Sequence, residues 1–435
     1  MSLNRTCVDE PKKVVSVMKL ASPGDTSASL AGANSVRWLL IAGGAWAALC
    51  FYMMTAHLTD GHTKDFGVQW MAGRIVADGQ GRRLYDPDYQ EGVLRKQHDQ
   101  PVVDKMQIKV IGGWLSYPPV QAILYTPLGI LSPSAAQWWI VQLSLGAVIV
   151  TALALSRSIN GAVPASVAIL TLLLQPAFFS NIALGQNAAV TLAIIVVGWC
   201  LLVHGKDVSA GLVWGLLAFK PTWGLAICWV PLVTKHPKAY WGLMTSGLFL
   251  VMLSIVVCGG DAWGNWLEIA RKIETGYSLD PTWVWMRRDL VGLGQHIFGQ
   301  FSPLVSWGVS GMVALVTAVT LRKSSASVSG GLGGSLLFSA IVLTCPKFIY
   351  YDVLMATPAF LLAFSEWKTH TRTAGIVLMI LAIGFFGAFA FDFGAWPLCW
   401  PLETASTLGL WLWSIALILM RAPVGQGPEA RKEPA

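Results

Sequence analysis

The sequence predicts an all-α protein that crosses a membrane many times, and three observations support this fold class. Hydrophobic residues make up 54% of the 435-residue chain and charged residues only 12%, about half the charged share of a soluble domain. Runs of about 20 apolar residues recur, which is the length a helix needs to cross a bilayer. No segment alternates apolar and polar residues as a barrel strand would, so we predict that the spans are helices.

We predict about ten full-length spans and one short broken hairpin. The spans cover residues 37–57, 133–155, 162–180, 187–204, 239–258, 302–321, 332–346, 350–366, 373–391 and 403–420. Residues 208–233 are also apolar, but Lys220-Pro221 interrupts them. Each remaining arm has only about 11 to 13 residues, too few to cross a hydrocarbon core of about 30 Å as a helix. We therefore interpret this segment as a hairpin or a broken helix, with Lys220 near its turn.

Basic residues predict the orientation, because cytoplasmic loops are enriched in Lys and Arg. If residues 1–35 form a disordered cytoplasmic tail and residues 208–233 return as a hairpin, the basic residues fall in alternate loops and in a cytoplasmic C-terminal tail, 422–435. The loop residues are Arg157, Lys206, Lys235, Lys238, Arg322, Lys323, Lys368 and Arg372, and the C-terminal end adds Arg421, Arg431 and Lys432. The opposite loops 181–187 and 392–402 contain no Lys or Arg, and loop 345–351 contains only Lys347. We expect a multi-pass protein of the plasma (inner) membrane with a cytoplasmic N-terminus.

The domain organisation is predicted to be one transmembrane domain, 36–421, with two large outer excursions, 58–115 and 259–301. The first excursion holds eight Lys/Arg and eight Asp/Glu. In the second, Trp263, Trp266 and Ile273 follow helical spacing between Asp261 and Gly276, which predicts a helix in the membrane interface. Polar residues gathered on one face of a multi-span protein indicate a functional site there.

Asp65 is the main catalytic candidate, because it is a carboxylate at the border between a charged loop and an apolar run. The run from Phe66 ends at Asp78-Gly79. Aspartate is also a favoured helix N-cap and glycine a favoured helix end. The two interpretations are compatible, since a capping carboxylate at a membrane face can also meet a substrate.

Four basic residues are candidates for binding an anion on the outer face: Lys220, Arg287, Arg288 and Lys347. Lys220 is notable because an ammonium inside an apolar segment is costly unless it is paired or reaches water. The alternative for Lys220 is a side chain that extends to the interface. For the other three, ordinary loop charge is the alternative.

Further polar residues at the outer ends of spans are candidates for binding substrate: Tyr85, Tyr117, Gln186, Asn187, Tyr351 and Asp352. Simpler explanations exist for several of them. Asn187 and Asp352 begin apolar spans, where they can cap a helix or complement its dipole. Tyr117, like Trp223, Trp283 and Trp285, could stack on a sugar ring or prenyl chain, or could belong to an interfacial aromatic belt.

The sequence predicts no metal ion and no other cofactor, and leaves dependence on a divalent cation open. The seven cysteines form no CxxC pair. Asp86-Pro87-Asp88 has the D-x-D pattern of nucleotide-sugar enzymes, but proline between the acids favours a turn. Nucleic acid is not an expected partner, because the net charge of +7 is spread over many loops instead of forming one basic patch.

An ordered set of short motifs resembles glycosyltransferase family 87. The set comprises Asp65-Phe66, Gly81 with Leu84-Tyr85-Asp86, Tyr117-Pro118-Pro119 with Pro127-Leu128, Gly185-Gln186-Asn187, Gly211 leading to Lys220-Pro221, and Pro346 through Tyr350-Tyr351-Asp352 to Pro358. One departure is that this chain has Arg287-Arg288-Asp289-Leu290 where the family often has an Asn-Gln-Ser element.

The resemblance implies a GT-C-like helical bundle and a hexosyltransferase, a class that includes mannosyltransferases using a polyprenyl-phosphate sugar. It assigns the general base to Asp65, with a lipid or glycan as acceptor and membrane lipids as surroundings. The rival class is a transporter or flippase for lipid-linked sugars or small molecules, because broken helices such as the one at Lys220-Pro221 also mark transport sites. A structural subunit of the cell envelope is a third interpretation.

Overall fold

The computed structural model describes residues 65–98, 103, 115–279, 286–299, 303–324, 328–392 and 401–421, all within one compact unit, Trp46–Ala435. The predicted tails 1–35 and 422–435, the predicted first span 37–57, and Trp283 and Trp285 lie outside the described residues. Secondary structure in the described ranges is helical, apart from an isolated bridge between Arg287 and Ile349. The predicted all-α class is confirmed for this part of the chain.

The α-helices of four residues or more are numbered here in chain order. They are α1 (Asp65–Ala77), α2 (Pro87–Arg95), α3 (Pro119–Gly129), α4 (Pro133–Ser158), α5 (Ala165–Leu174), α6 (Pro176–Leu184), α7 (Ala188–Val203), α8 (Asp207–Gly215), α9 (Pro221–Cys228), α10 (Val230–Val233), α11 (Pro237–Cys258), α12 (Gly260–Leu279), α13 (Leu290–Phe298), α14 (Pro303–Ser324), α15 (Gly331–Thr344), α16 (Thr357–Ser365), α17 (Arg372–Asp392) and α18 (Leu402–Arg421). Short 3₁₀ segments cover Gly81–Arg83, Leu216–Phe219, Tyr350–Ala356 and Trp367–Thr369.

Membrane-length helices are present, although fewer than the predicted ten are shown. Among the described residues, α4, α11 and α18 are long and apolar enough to cross a membrane. The pair α5 and α6 would make a fourth span, bent by 64°. Gln175 is extended at this break and Pro176 follows it, as expected because proline pushes the preceding residue out of the helical region. The count of about ten spans stays a prediction.

The predicted break at Lys220-Pro221 is confirmed. Helix α8 tightens into the 3₁₀ turn Leu216–Phe219, Lys220 leaves the helical conformation (φ −134°, ψ 75°), and α9 starts at Pro221. Helix α8 packs closely on α11, since a Cβ on Gly211 would lie 2.0 Å from the carbonyl oxygen of Ala239. This packing holds the first arm of the broken segment, at whose end Lys220 lies.

The described residues of the first excursion, 65–98 with 103 and 115, are largely helical and belong to a separate hydrophobic core. Phe66, Trp70 and Met71 of α1 are fully buried and cluster with Tyr125 of α3. Helices α1 and α3 approach closely at Gly73, where an added Cβ would lie 2.3 Å from the carbonyl oxygen of Tyr125. The sequence correctly predicted a helix starting near Asp65. The many charged residues of this excursion gave no indication that the helix would be buried.

The second excursion contains the predicted helix with different ends. Helix α12 begins at Gly260, so Asp261 lies in its first turn and not before it, and Gly276 lies inside the helix and not after it. Glycine in a helix interior costs only about 1 kcal/mol relative to alanine, so it need not end the helix. The side chains of Ala262 and Ile269 are buried in the same cluster as Phe66.

Candidate active site

Asp65 is the first residue of α1 and its side chain is exposed, although the next two residues are buried. Its Oδ2 accepts a hydrogen bond from Gln186 Nε2 at 2.7 Å. These residues are 121 positions apart, so the contact is tertiary. The carboxylate is therefore held by a distant part of the chain while its exposed side can meet a substrate.

The turn that carries Gln186 is shaped to approach α1. Gly185 ends α6 in the left-handed conformation, with φ +64°, which glycine adopts without steric cost. A Cβ on Gly185 would lie only 2.5 Å from the Cβ of Phe66. Glycine at this position thus allows the turn to lie against the start of α1, beside Asp65.

Gln186 is the centre of a buried hydrogen-bond network. Its Oε1 accepts from Gln69 Nε2 at 3.2 Å and from the Tyr117 hydroxyl at 3.0 Å. Gln121 Nε2 donates in turn to Gln69 Oε1 at 3.3 Å. Sequence reasoning missed Gln69 and Gln121. The available signals were that Gln69 is four residues after Asp65, on the same helical face, and that both are amides in apolar helices.

A buried ion pair forms the second part of the site. Lys220 Nζ lies 2.5 Å from Asp352 Oδ1 and also donates to Asn187 Oδ1 at 3.3 Å. Lys220 is 6% exposed and Asp352 3% exposed. The Lys220 ammonium lies 5.5 Å from the centre of the Tyr351 ring. Lys220 does not extend to the surface, so the interpretation of a side chain reaching the interface is wrong.

Asn187 serves the ion pair and not the helix that it precedes. It occupies the N-cap position of α7, but its side chain makes no capping hydrogen bond. Asn181 Oδ1 accepts instead from the backbone N–H of Ala188 at 2.7 Å. The simpler explanation of Asn187 as a side-chain cap is therefore wrong, because Asn181 satisfies the free N–H at that helix end and sequence position did not reveal it.

Tyrosines connect the two parts of the site. The phenols of Tyr117 and Tyr351 are hydrogen-bonding neighbours, and Asp65 acts electrostatically on both and on Tyr350. The buried Tyr85 hydroxyl donates to the backbone carbonyl of Tyr117 at 2.7 Å. The structure thus brings Asp65, Tyr117, Gln186, Asn187, Lys220, Tyr351 and Asp352 into one cluster, with Tyr85 supporting Tyr117.

The remaining cations lie beside this cluster on a short two-stranded contact. Arg287 pairs with Ile349, and the Arg288 backbone N–H donates to the Phe348 carbonyl at 3.0 Å, so Lys347 is close in sequence to both contacts. Tyr350 experiences the charges of both Arg288 and Asp65. The arginines therefore lie near the polar cluster, although far from Asp65 in sequence.

Both arginines are buried and have carboxylate partners. The Arg287 guanidinium contacts Asp289, with Nη2 to Oδ2 at 2.9 Å, and Arg288 Nε lies 3.1 Å from Glu403 Oε2. Lys347 is more exposed than either arginine. An anion entering this region would join existing ion pairs, and it would not meet a set of bare positive charges.

The D-x-D pattern has a structural explanation. Asp86 is the N-cap of α2, and its Oδ1 accepts from the Tyr89 backbone N–H at 3.2 Å, with Pro87 in the first helical position. The Arg83 guanidinium, followed by that backbone N–H, lowers the pKa of Asp86. In the part of the chain that the structure describes, no three His, Cys, Asp or Glu residues are grouped as a metal site.

The fold and the site define a class: an all-helical protein with membrane-length helices and one polar cluster of acids, cations and tyrosines. The chain belongs to glycosyltransferase family 87, whose family model matches residues 114–346, more than half of the 435 residues. Comparison with curated proteins and with solved structures gives no significant match. The family identifies the protein as a membrane glycosyltransferase. The matched range includes Gln186 and Lys220 but neither Asp65 nor Asp352.

Proposed function

We propose that this protein transfers a hexose, with mannose as the first candidate, from a polyprenyl-phosphate sugar to a lipid or glycan acceptor at the outer face of the plasma membrane. The observation that carries this proposal is the exposed Asp65 carboxylate, held at 2.7 Å by Gln186 beside a cluster of cations. Transfer proceeds with inversion at the anomeric carbon, and Asp65 acts as the general base.

The lipid-linked donor follows from the proposed orientation. We propose about ten spans plus the broken hairpin, with the tails 1–35 and 422–435 in the cytoplasm and the transmembrane domain 36–421 between them. The excursions 58–115 and 259–301 are then outside, where a cytoplasmic nucleotide sugar cannot reach Asp65. A sugar on a polyprenyl phosphate, already carried across the bilayer, is the matching donor class.

The proposed chemistry needs one carboxylate. Asp65 removes the proton from the acceptor hydroxyl, and the oxygen of that hydroxyl forms a bond to the anomeric carbon. The bond between that carbon and the phosphate oxygen breaks, and its electron pair leaves with the polyprenyl phosphate. A phosphate leaving group needs no general acid at neutral pH, unlike the alcohol leaving group of a glycosidase.

Lys220, Arg287, Arg288 and Lys347 are the proposed contacts for the donor phosphate, whose negative charge grows as the sugar leaves. Lys220 pairs with Asp352, Arg287 with Asp289 and Arg288 with Glu403. The phosphate would therefore enter a pre-arranged ion cluster. Tyr85, Tyr117, Asn187 and Tyr351 complete the proposed substrate-binding surface.

The test of this function is sugar transfer by the full-length protein purified in detergent. A polyprenyl-phosphate mannose donor and extracted envelope lipids serve as substrates, and mass spectrometry identifies the product. We expect transfer by the wild-type protein and a loss of at least about 100-fold in Asp65→Asn, because general-base catalysis contributes about 10² to 10⁴ in rate.

Asp78→Asn is the matched control, since Asp78 ends the same helix region and pairs only locally with Arg74 at 3.0 Å. It should retain near wild-type transfer. Transfer by a folded Asp65→Asn protein at the wild-type rate would refute the base. No turnover in detergent, together with movement of a lipid-linked sugar across vesicles, would favour the rival transporter or flippase.

A further inference from the structure

A chain of buried side-chain amides ends on the exposed carboxylate of Asp65. The chain runs from Gln121 through Gln69 to Gln186, and every link donates an N–H toward the next residue. The three glutamines are only 1–2% exposed. Burying an amide is unfavourable unless its polar atoms are hydrogen-bonded. These links satisfy the side chains of Gln69 and Gln186, while the Oε1 of Gln121 accepts no hydrogen bond among the described residues.

The network determines the orientation of the Gln186 amide. Its Oε1 is the acceptor for both Gln69 Nε2 and the Tyr117 hydroxyl, which occupies both lone pairs of that oxygen. Its Nε2 must then face Asp65. Rotating the amide by half a turn would direct its N–H groups at two donors and its oxygen at a carboxylate.

The backbone of Gln186 is held as firmly as its side chain. The Gln186 N–H donates to the Asn181 carbonyl at 2.7 Å. The preceding Gly185 takes the left-handed conformation that lets this turn contact Phe66. The Nε2 donor of Gln186 is consequently fixed relative to the first turn of α1, which carries the Asp65 carboxylate.

A neutral donor is well suited to a base. A hydrogen bond from an amide stabilises the charged carboxylate and limits its rotation. A lysine or arginine in the same place would add a positive charge, favour the ionised carboxylate further and weaken proton removal by it. Gln186 supplies a neutral amide donor to Asp65, whereas the Lys220 ammonium is paired with Asp352.

We infer that Gln186 is a positioning residue that acts through Asp65 and does not bind the sugar substrate, with Gln69 and Gln121 orienting it. This inference rests on the proposed role of Asp65 as general base. It replaces the sequence-based expectation that Gln186 binds substrate. Its loss should alter the pH at which Asp65 ionises and the rate of the chemical step, while leaving substrate affinity unchanged.

The experiment compares full-length Gln186→Leu, Gln186→Glu and Gln121→Leu with the wild-type protein in detergent. The first readout is the pH dependence of carbodiimide labelling of Asp65, measured by peptide mass spectrometry. Carbodiimide reacts with the protonated carboxyl, so the labelling midpoint reports ionisation without any substrate. The second readout is kcat and KM for transfer from a polyprenyl-phosphate mannose donor.

We expect both Gln186 variants to move the labelling midpoint upward by about one pH unit, Gln186→Glu the more because two adjacent carboxyls cannot readily both ionise. Gln186→Leu should lower kcat by about 10-fold or more and leave KM within about 2-fold, as for an interaction specific to the transition state. Gln121→Leu should change the labelling midpoint and kcat in the same directions but by less, because Gln121 acts on Asp65 through Gln69 and Gln186.

Gln175→Leu is the matched control. Gln175 is also a buried glutamine, 2% exposed, but it precedes α6, whereas Gln186 follows that helix. It should leave both readouts unchanged.

A Gln186→Leu protein that keeps the wild-type labelling midpoint would overturn the inference, as would an increase in KM at constant kcat. If Gln186→Leu does not fold, Gln121→Leu takes its place. An unchanged labelling midpoint in Gln121→Leu would then count equally against the inference. Failure of the proposed function looks different: wild-type protein would then transfer no sugar, while the labelling midpoint of Asp65 still depended on Gln186.

Discussion

The two acidic residues of the site, Asp65 and Asp352, are held in opposite ways. Asp65 is exposed and its Oδ2 receives a hydrogen bond from a neutral amide, whereas Asp352 is buried and lies 2.5 Å from the Lys220 ammonium. An exposed carboxylate beside a neutral donor stays available to exchange a proton. A buried carboxylate paired with a cation is tied to its partner, because separating the charges in a low dielectric is costly.

The comparison teaches that position in the sequence did not separate these roles. Both acids precede apolar segments, and both were explained equally well as residues at a helix start. Their surroundings differ because one helix end lies at the edge of a small separate core and the other inside the main core. The functional assignment therefore depends on burial and partner charge.

The largest expected effect comes from breaking the buried pair. Lys220→Met should destabilise the protein by about 3 to 5 kcal/mol, because it leaves the Asp352 charge buried without its ammonium. The double variant Lys220→Met/Asp352→Leu should recover most of that stability, since apolar replacement of a buried pair is often tolerated. Thermal unfolding in detergent, followed by tryptophan fluorescence, measures both.

If Lys220→Met alone cannot be purified, the recovery of folded double variant gives the same information. A single variant that unfolds at the wild-type temperature would contradict the structural role of the pair. Sugar transfer should remain lost in the stable double variant if Lys220 also contacts the donor phosphate.

A smaller effect is expected from disturbing the exposed acid through its supporting turn. Gly185→Ala should destabilise the protein by about 1 to 2 kcal/mol for the left-handed conformation alone, with a further contribution from the contact with Phe66. It should also reduce transfer, because Gln186 would move away from Asp65. Chemical unfolding and initial transfer rates measure the two consequences.

Gly146→Ala is the control for that substitution, because Gly146 lies inside α4 and an added Cβ would meet nothing within 4 Å. It should be neutral or stabilising by up to about 1 kcal/mol. Equal effects of the two alanines would remove the special role assigned to Gly185.

The smallest effect concerns Asp86, a half-buried acid with a purely local role. The Arg83 guanidinium lowers the pKa of Asp86 below its ordinary value, which is about 3.9 in an unfolded chain. Its stabilisation is therefore fully present above that ordinary value and is lost as the pH falls through the lower, folded pKa. On the surface it should amount to less than about 1 kcal/mol.

Asp86→Asn keeps a good N-cap and removes only the ion pair, so it isolates this contribution. Its unfolding temperature should lie slightly below wild type at pH 7 and approach it as the pH falls below the ordinary aspartate pKa of about 3.9. If the difference in unfolding temperature between Asp86→Asn and wild type grew as the pH fell, the direction assigned to the pKa change of Asp86 would be wrong.

Much of the helical fold was predictable because its signals are local. Apolar runs marked α4, α7 and α11 to within a few residues, and Pro176 and Pro221 begin new helices where the chain is interrupted. The site was predictable only in part. Asp65 could be chosen as a carboxylate at an apolar boundary, and Lys220 as an ammonium inside an apolar segment. The local signals for Gln69 and Gln121, amides in apolar helices, did not show which residues they contact, and nothing local identified Asn181.

By itself, the sequence determined that the chain is helical, that the segment after α7 breaks at Lys220, and that Asp65 opens a helix. These properties follow from hydrophobic spacing, proline geometry and capping preference, all of which act over a few residues. Only the tertiary structure decided that Gln186 donates a hydrogen bond to Asp65 from 121 positions away, and that Lys220 forms an ion pair with Asp352. Such contacts depend on how helices pack, and a one-dimensional pattern contains no distance between remote residues.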